Sequence, residues 1–165
     1  MKRIVSLLME NQSGALSRVV GLFSQRGYNI ESLSVSATED PTLSRLTITT
    51  SVDEQALEQI DKQLNKLVDV LKVMDITETD HIEREIALIK VKANTPASRD
   101  EIQRLSDIFR GQIVDAGTQV YTVQLAGRSS KLDAFIQSVT KISEVIEVSR
   151  SGIVGLCRGD RALRA

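Results

Sequence analysis

The feature that most constrains this chain is a change of hydrophobic period that runs its course once and then recurs. Ile4 to Met9 is apolar on both faces, as a central strand requires. Leu16, Val19, Val20 and Phe23 follow at helical spacing, with Arg26 in the last turn and Gly27 placed to end the helix. Leu33, Val35 and Ala37 then alternate with Ser32, Ser34 and Ser36, which predicts a strand with one buried face. TEDPT, around Asp40 and Pro41, reads as a turn, and Leu46 and Ile48 alternate with polar neighbours in another strand. Leu57, Ile60, Leu64 and Leu67 mark a second helix, and Val68 to Ile76 a closing strand. The order is βαββαβ.

That order then returns. Ile86 to Val91 predicts a strand; Ile102, Leu105, Ile108 and Phe109 predict a helix ending near Gly111. Gln112 to Asp115 and Val120 to Leu125 are two strands around a Gly117 turn, followed by a helical stripe of Leu132, Phe135, Ile136, Val139 and Ile142. Val145 to Val148 closes the second unit. The expected class is α+β: two consecutive βαββαβ domains over residues 1–77 and 78–165, split near TETDHIE. Each is an antiparallel sheet covered by helices on one face. The other face of the first sheet, with Ile4, Leu8, Val70 and Met74, calls for a partner, so dimerisation is expected.

Little in the residues supports self-contained catalysis. The one histidine, His81, sits in the polar link beside Asp80 and Glu83, where a solvated role outweighs a metal site. Cys157 has neither a second cysteine nor a neighbouring histidine, and a single cysteine suits a reducing compartment. Glu39 and Asp40 are adjacent in a turn, an arrangement that favours solvation over acid–base division of labour. No phosphate-cradling glycine motif is present, so no catalytic and no metal-ligating residue is expected. A net charge of −1 gives no general attraction to nucleic acid or an anionic membrane. RNA binding through a βαββαβ sheet needs stacking aromatics, and RIVSLLM and LTITT contain none. With no apolar segment of spanning length, a soluble cytoplasmic protein is the expectation.

Binding is a better prospect. Gly14 stands at the entrance of the first helix, whose leading amides lack intrahelical partners and, with the helix dipole, suit a carboxylate. Glycine admits a ligand to the backbone without a Cβ in the way. Asn11 and Asn29 each offer a donor and an acceptor, the latter suited to an ammonium. Leu16, Ile30 and Leu33 favour an aliphatic side chain. The competing reading makes Ser13 a helix cap, Gly14 a loop residue and Asn29 a turn residue.

The stretch NQSGALSRVVGLFSQRGYNIESL, followed by TEDPTLSRLTI, resembles the N-terminal ACT domain of acetolactate (acetohydroxyacid) synthase regulatory subunits. The resemblance continues through LVDVLKV, EREIALIKVKA, FRGQIVDAG, YTVQLAG, KLDAFI and RSGIVGLCRGD, nearly the whole chain. It implies two ferredoxin-like domains, the first an ACT domain, in a non-catalytic subunit that activates a separate large subunit. The chain itself would carry no cofactor; thiamine diphosphate, Mg²⁺ and FAD are expected on that partner. The resemblance also implies a homodimer through the ACT domains, with valine or another branched-chain amino acid bound between protomers. Asn11, Gly14, Ala15 and Leu16 would come from one chain, and Asn29 and Ile30 from the other. NTPASR stands where a second NQSGAL would fall, with Ala97 for the glycine and Pro96 before it, so a second site of the same kind is not expected. The alternative is a stand-alone ACT-type amino-acid sensor regulating another protein, for which no helix-turn-helix is present. The basic ending, with Arg158, Arg161 and Arg164, reads as a solvated tail or a contact with the large subunit.

Overall fold

The computed structural model describes residues 1–165. The chain forms two compact units, residues 1–82 with 153–165, and residues 83–152. In the first, β1 (Lys2–Glu10), α1 (Ala15–Gln25), β2 (Ile30–Ala37), β3 (Leu43–Ser51), α2 (Glu54–Asn65) and β4 (Val70–Asp75) follow in the expected order. They make an antiparallel sheet ordered β2-β3-β1-β4. β5 (His81–Lys92) leads into α3 (Pro96–Ile108), β6 (Gln112–Ala116), β7 (Val120–Gly127), α4 (Ser129–Thr140) and β8 (Val145–Arg150), in the sheet order β6-β7-β5-β8. The fold class is the expected one: an α+β pair of βαββαβ units.

The register explains the first core. Val5 pairs with Ile48 and Leu7 with Leu46, which points these side chains to the helical face, where Val19, Phe23, Ile60 and Leu64 meet them. In the second unit Ala87, Ile89, Val91, Val123 and Leu125 face Ile102, Leu132, Phe135 and Val139. Phe109 and Phe135 meet edge to face, with centroids 5.4 Å apart. At the end of α1, Gly27 (φ 71°) accepts the left-handed turn, and the Tyr28 amide donates to the Phe23 carbonyl over 3.0 Å. That is a Schellman closure, and glycine takes its positive φ at no steric cost.

Several expectations are corrected. The division of the chain differs from the boundary at residues 77 and 78: residues 153–165 return to the first unit. A short strand that the periodicity does not announce, β9 (Val154–Cys157), pairs with β5, whose first residues, His81 and Ile82, belong to that unit. This return covers the sheet face expected to need a partner. Ile4 is buried beneath Ile76 and Ile153, with Met74 and Cys157 packed against them, and Leu8 is buried too. Val70 joins the helical-side core, because a bulge between Leu8 and Met9 shifts the register and brings Val70 opposite Met9. Val68 stands 90% exposed before the strand begins. On edge strand β2, Leu33 packs against the core while Val35 and Ala37, expected to be buried, are exposed. The left-handed residue closing α3 is Arg110 (φ 60°), not Gly111. Gly111 is needed for closeness: a Cβ there would lie 3.0 Å from the Gln124 carbonyl oxygen.

Candidate functional site

The loop between β1 and α1 is tied down by backbone bonds from Glu10 N to Asp69 O and from Asn11 N to Thr42 O, each 2.8 Å. The Asn11 side-chain amide donates to the Pro41 carbonyl over 3.0 Å, which holds the carboxamide against the β2–β3 turn. Gly14, not Ser13, is the cap of α1; it lies at φ 87° and no side chain bonds back to the helix amides. The Ala15 amide is used in a turn to Gln12 O. Leu16 and Ser17 therefore begin the helix with donors that no capping side chain satisfies. Ala15 is buried and Leu16 packs partly against the core, so the backbone that presents these amides is firmly held.

A cation completes this entrance. A Cβ at Gly14 would meet Arg18 Nη1 at 3.0 Å, which places the guanidinium directly beside the helix cap. Arg18 Nε is 2.5 Å from Asp69 Oδ2, and the hydrogen bond and charge of Asp69 raise the Arg18 pKa above its ordinary value. The sequence reading missed Arg18. Its spacing of four from Gly14, one helical turn, was the available signal. Open amides, the positive helix end and Arg18 together suit a small carboxylate. A groove of about 550 Å³ continues from Gly14 and Arg18 along α1 toward Arg26 and Lys66.

Asn29 and Ile30 lie elsewhere. They follow the turn after Gly27, where the Asn29 main-chain carbonyl accepts the Thr50 hydroxyl at 2.6 Å while its side chain is exposed. Ile30 starts edge strand β2 opposite Thr50. Residues 17–25 of α1 intervene between the two groups, roughly 13 Å of helix at 1.5 Å per residue. Asn11, Gly14, Ala15 and Leu16 thus form one cluster at one end of α1, and Asn29 and Ile30 another at its far end. One chain does not bring them together.

The remaining candidates have local partners. Asp40 accepts the Thr42 hydroxyl and amide; these bonds hold its carboxyl below the ordinary range and pin the turn. His81 Nδ1 lies 2.8 Å from Thr79 O, and Cys157 Sγ lies 3.5 Å from Met74 Sδ. In the second unit the equivalent helix start is closed. Thr95 caps α3, Pro96 occupies the first turn, and Thr95 and Ser98 exchange side-chain bonds with each other's backbone.

The family model for the AHAS small subunit-like ACT domain matches residues 5–72, and that for the small subunit of acetolactate synthase matches residues 84–159. The small subunit of acetolactate synthase isozyme 3 from Escherichia coli is 60% identical over 99% of this chain and 100% of its own length. The chain belongs to the acetolactate synthase small-subunit family. The small subunit from Haemophilus influenzae is likewise 60% identical, over 98% of each chain. The crystal structure of the acetolactate synthase small subunit from Thermotoga maritima superposes with a TM-score of 0.87 at 39% identity, covering 98% of this chain and 99% of that one. A small subunit of this family is the regulatory part of acetolactate synthase and implies a catalytic large subunit as its partner, and no helix here is long and apolar enough to cross a membrane.

Proposed function

We propose that this chain binds and activates the catalytic large subunit of acetolactate synthase and imposes feedback on it by a branched-chain amino acid, valine first. The catalytic partner carries thiamine diphosphate, Mg²⁺ and FAD. It condenses two pyruvates to 2-acetolactate with loss of CO₂, or pyruvate with 2-oxobutyrate, at the entry to valine and isoleucine synthesis. The observation that supports this reading best is the split of the candidate site. A helix entrance ready for a carboxylate lies at one end of α1, and Asn29 and Ile30 lie beyond its other end, so a ligand that uses both groups draws them from two chains.

The edge position of β2, with Val35 40% exposed, leaves a strand free for a second copy. In such a pair the effector carboxylate meets the amides of Leu16 and Ser17 beside Arg18, Asn11 and Asn29 take the remaining polar groups, and Ile30 of the other chain meets the aliphatic side chain. A ligand that bridges two protomers prefers the arrangement in which both halves touch it, and only such a preference shifts an equilibrium. Coupling of about 1–3 kcal/mol to the catalytic partner is the usual scale. The test is calorimetric titration of the purified chain with valine, leucine, isoleucine and lysine, beside a pyruvate assay of the large subunit with and without it. Saturable heat from an aliphatic amino acid only, together with stimulation of the large subunit, is expected. No stimulation removes the reading.

A further inference from the structure

A second concave surface lies on the first unit. Between α2 and β4 runs a groove of about 540 Å³ with Val5, Leu57, Ile60 and Val73 on its apolar floor. Its rim is acidic: Glu54, Glu58, Asp61 and Asp75 line it, with Lys62 as the one lining cation. Glu54, Glu58 and Asp61 are four and three residues apart on α2, so they form one stripe along the helix side. Glu54 and Asp75 are partly neutralised by buried Arg3, at 3.2 and 3.7 Å. Glu58 and Asp61 are exposed and form no ion pair, and such like-charged neighbours on one helix face repel in the free chain.

The wall opposite α2 is a sheet edge. β4 is the terminal strand of its sheet, bonded to β1 alone. Ile76 donates to Ile4 O, and the alternation of an antiparallel ladder then turns the main-chain groups of Val73 and Asp75 outward, away from β1. Leu71 on this edge is 40% exposed. An open edge with alternating side chains takes an extended peptide by strand addition, and the rim decides its charge. Four carboxylates outweigh Lys62 and the Arg3 that pairs with Glu54 and Asp75, so that charge is positive.

We propose that the groove between α2 and the free edge of β4 docks an extended, basic segment of the catalytic large subunit, separately from the effector entrance at Gly14. The proposal rests on the reading that this chain activates such a subunit. Strand addition supplies main-chain bonds, the apolar floor takes alternate side chains, and Glu58 and Asp61 receive lysine or arginine.

The test measures binding of the full chain to the large subunit by surface-immobilised titration at low and high salt, with activation read in parallel. The variant is Glu58→Lys with Asp61→Lys; a charge-matched control is Asp100→Lys with Glu144→Lys, both exposed on the other unit. The groove variant is expected to bind about tenfold or more weaker, with a flattened salt dependence, while the control binds as the unaltered chain does. Unchanged thermal unfolding and effector heat in the groove variant exclude a folding defect. Intact large-subunit binding by the groove variant overturns the proposal alone. Failure of the unaltered chain to bind removes the activation reading and the proposal with it. A change in self-association of the isolated variant, seen by sedimentation, assigns the groove to a second copy and overturns the proposal as well.

Discussion

Two helices hold equivalent places in successive βαββαβ units, and they begin in opposite ways. α1 starts at a left-handed glycine with no side-chain cap, beside the Arg18 guanidinium. α3 starts at Thr95 with a reciprocal Thr95–Ser98 capping box and a proline in the first turn. In both, the fold leaves the leading amides without helical acceptors. The second unit satisfies them internally, which stabilises the helix and leaves no vacancy for a ligand. The first leaves them available. A common topology therefore supplies two equivalent helix starts, and local residues determine that only one keeps its leading amides uncapped.

The largest effects that sharpen this comparison come from the two cores. Phe23→Ala and Phe135→Ala each empty a fully buried position and are expected to cost about 3–5 kcal/mol. Because the residues belong to separate core clusters, Phe23→Ala is expected to lower protection of residues 1–82 in hydrogen exchange and to abolish effector heat. Phe135→Ala is expected to act on residues 83–152 and leave that heat in place. Loss of effector heat in both variants breaks the assignment of sensing to the first unit.

Next in size is the helix entrance itself. Gly14→Asp is expected to weaken effector binding about a hundredfold or more, because it sets a carboxylate where the ligand's own belongs and beside Arg18. The new side chain also strains a backbone at φ 87°, at about 1–2 kcal/mol. Gly14→Ala carries the same strain without the charge and separates the two causes by calorimetry. Equal losses in both variants leave geometry, not charge, as the reason.

The second unit has its own electrostatic clamp, which gives the contrast a pH dependence. Burial pushes the Glu85 pKa up, but bonds from Arg150, Ser129 and the Gly152 amide outweigh it and hold the carboxyl below its ordinary value of 4.5. A depressed folded-state pKa stabilises above the unfolded value and is lost as pH falls through the folded one. Residues 83–152 are thus expected to lose protection below about pH 4.5, and Glu85→Gln to flatten that dependence. Arg150→Met leaves a buried carboxylate without its main partner and is expected to cost about 2–3 kcal/mol in denaturant unfolding. The smallest change is at the closed helix start: Thr95→Ala is expected to cost about 1 kcal/mol and leave effector heat untouched.

Element order was legible wherever one face is buried, since burial writes its period into the residues. The Phe23 stripe, the Gly27 stop and the closed NTPASR entrance are short-range features that neighbouring residues determine. The candidate site was legible in the same measure: Gly14 and Asn11 stand out locally, whereas Arg18 does not, because its role depends on the direction its side chain takes toward the cap. Val35 and Ala37 mislead for a related reason, as alternation identifies a face but not how much of an edge strand the helices cover.

By itself the sequence determined two βαββαβ units, the Gly27 helix stop, and the presence of a glycine at only one of two equivalent helix starts. Tertiary structure alone decided that residues 153–165 close the first sheet over Ile4, that a bulge turns Val70 into the core, and that Asn29 lies a full helix away from Gly14. The reason is range. Caps and periods are set by residues within a turn or two, whereas these placements depend on which distant segments return to meet, and no local pattern records that encounter.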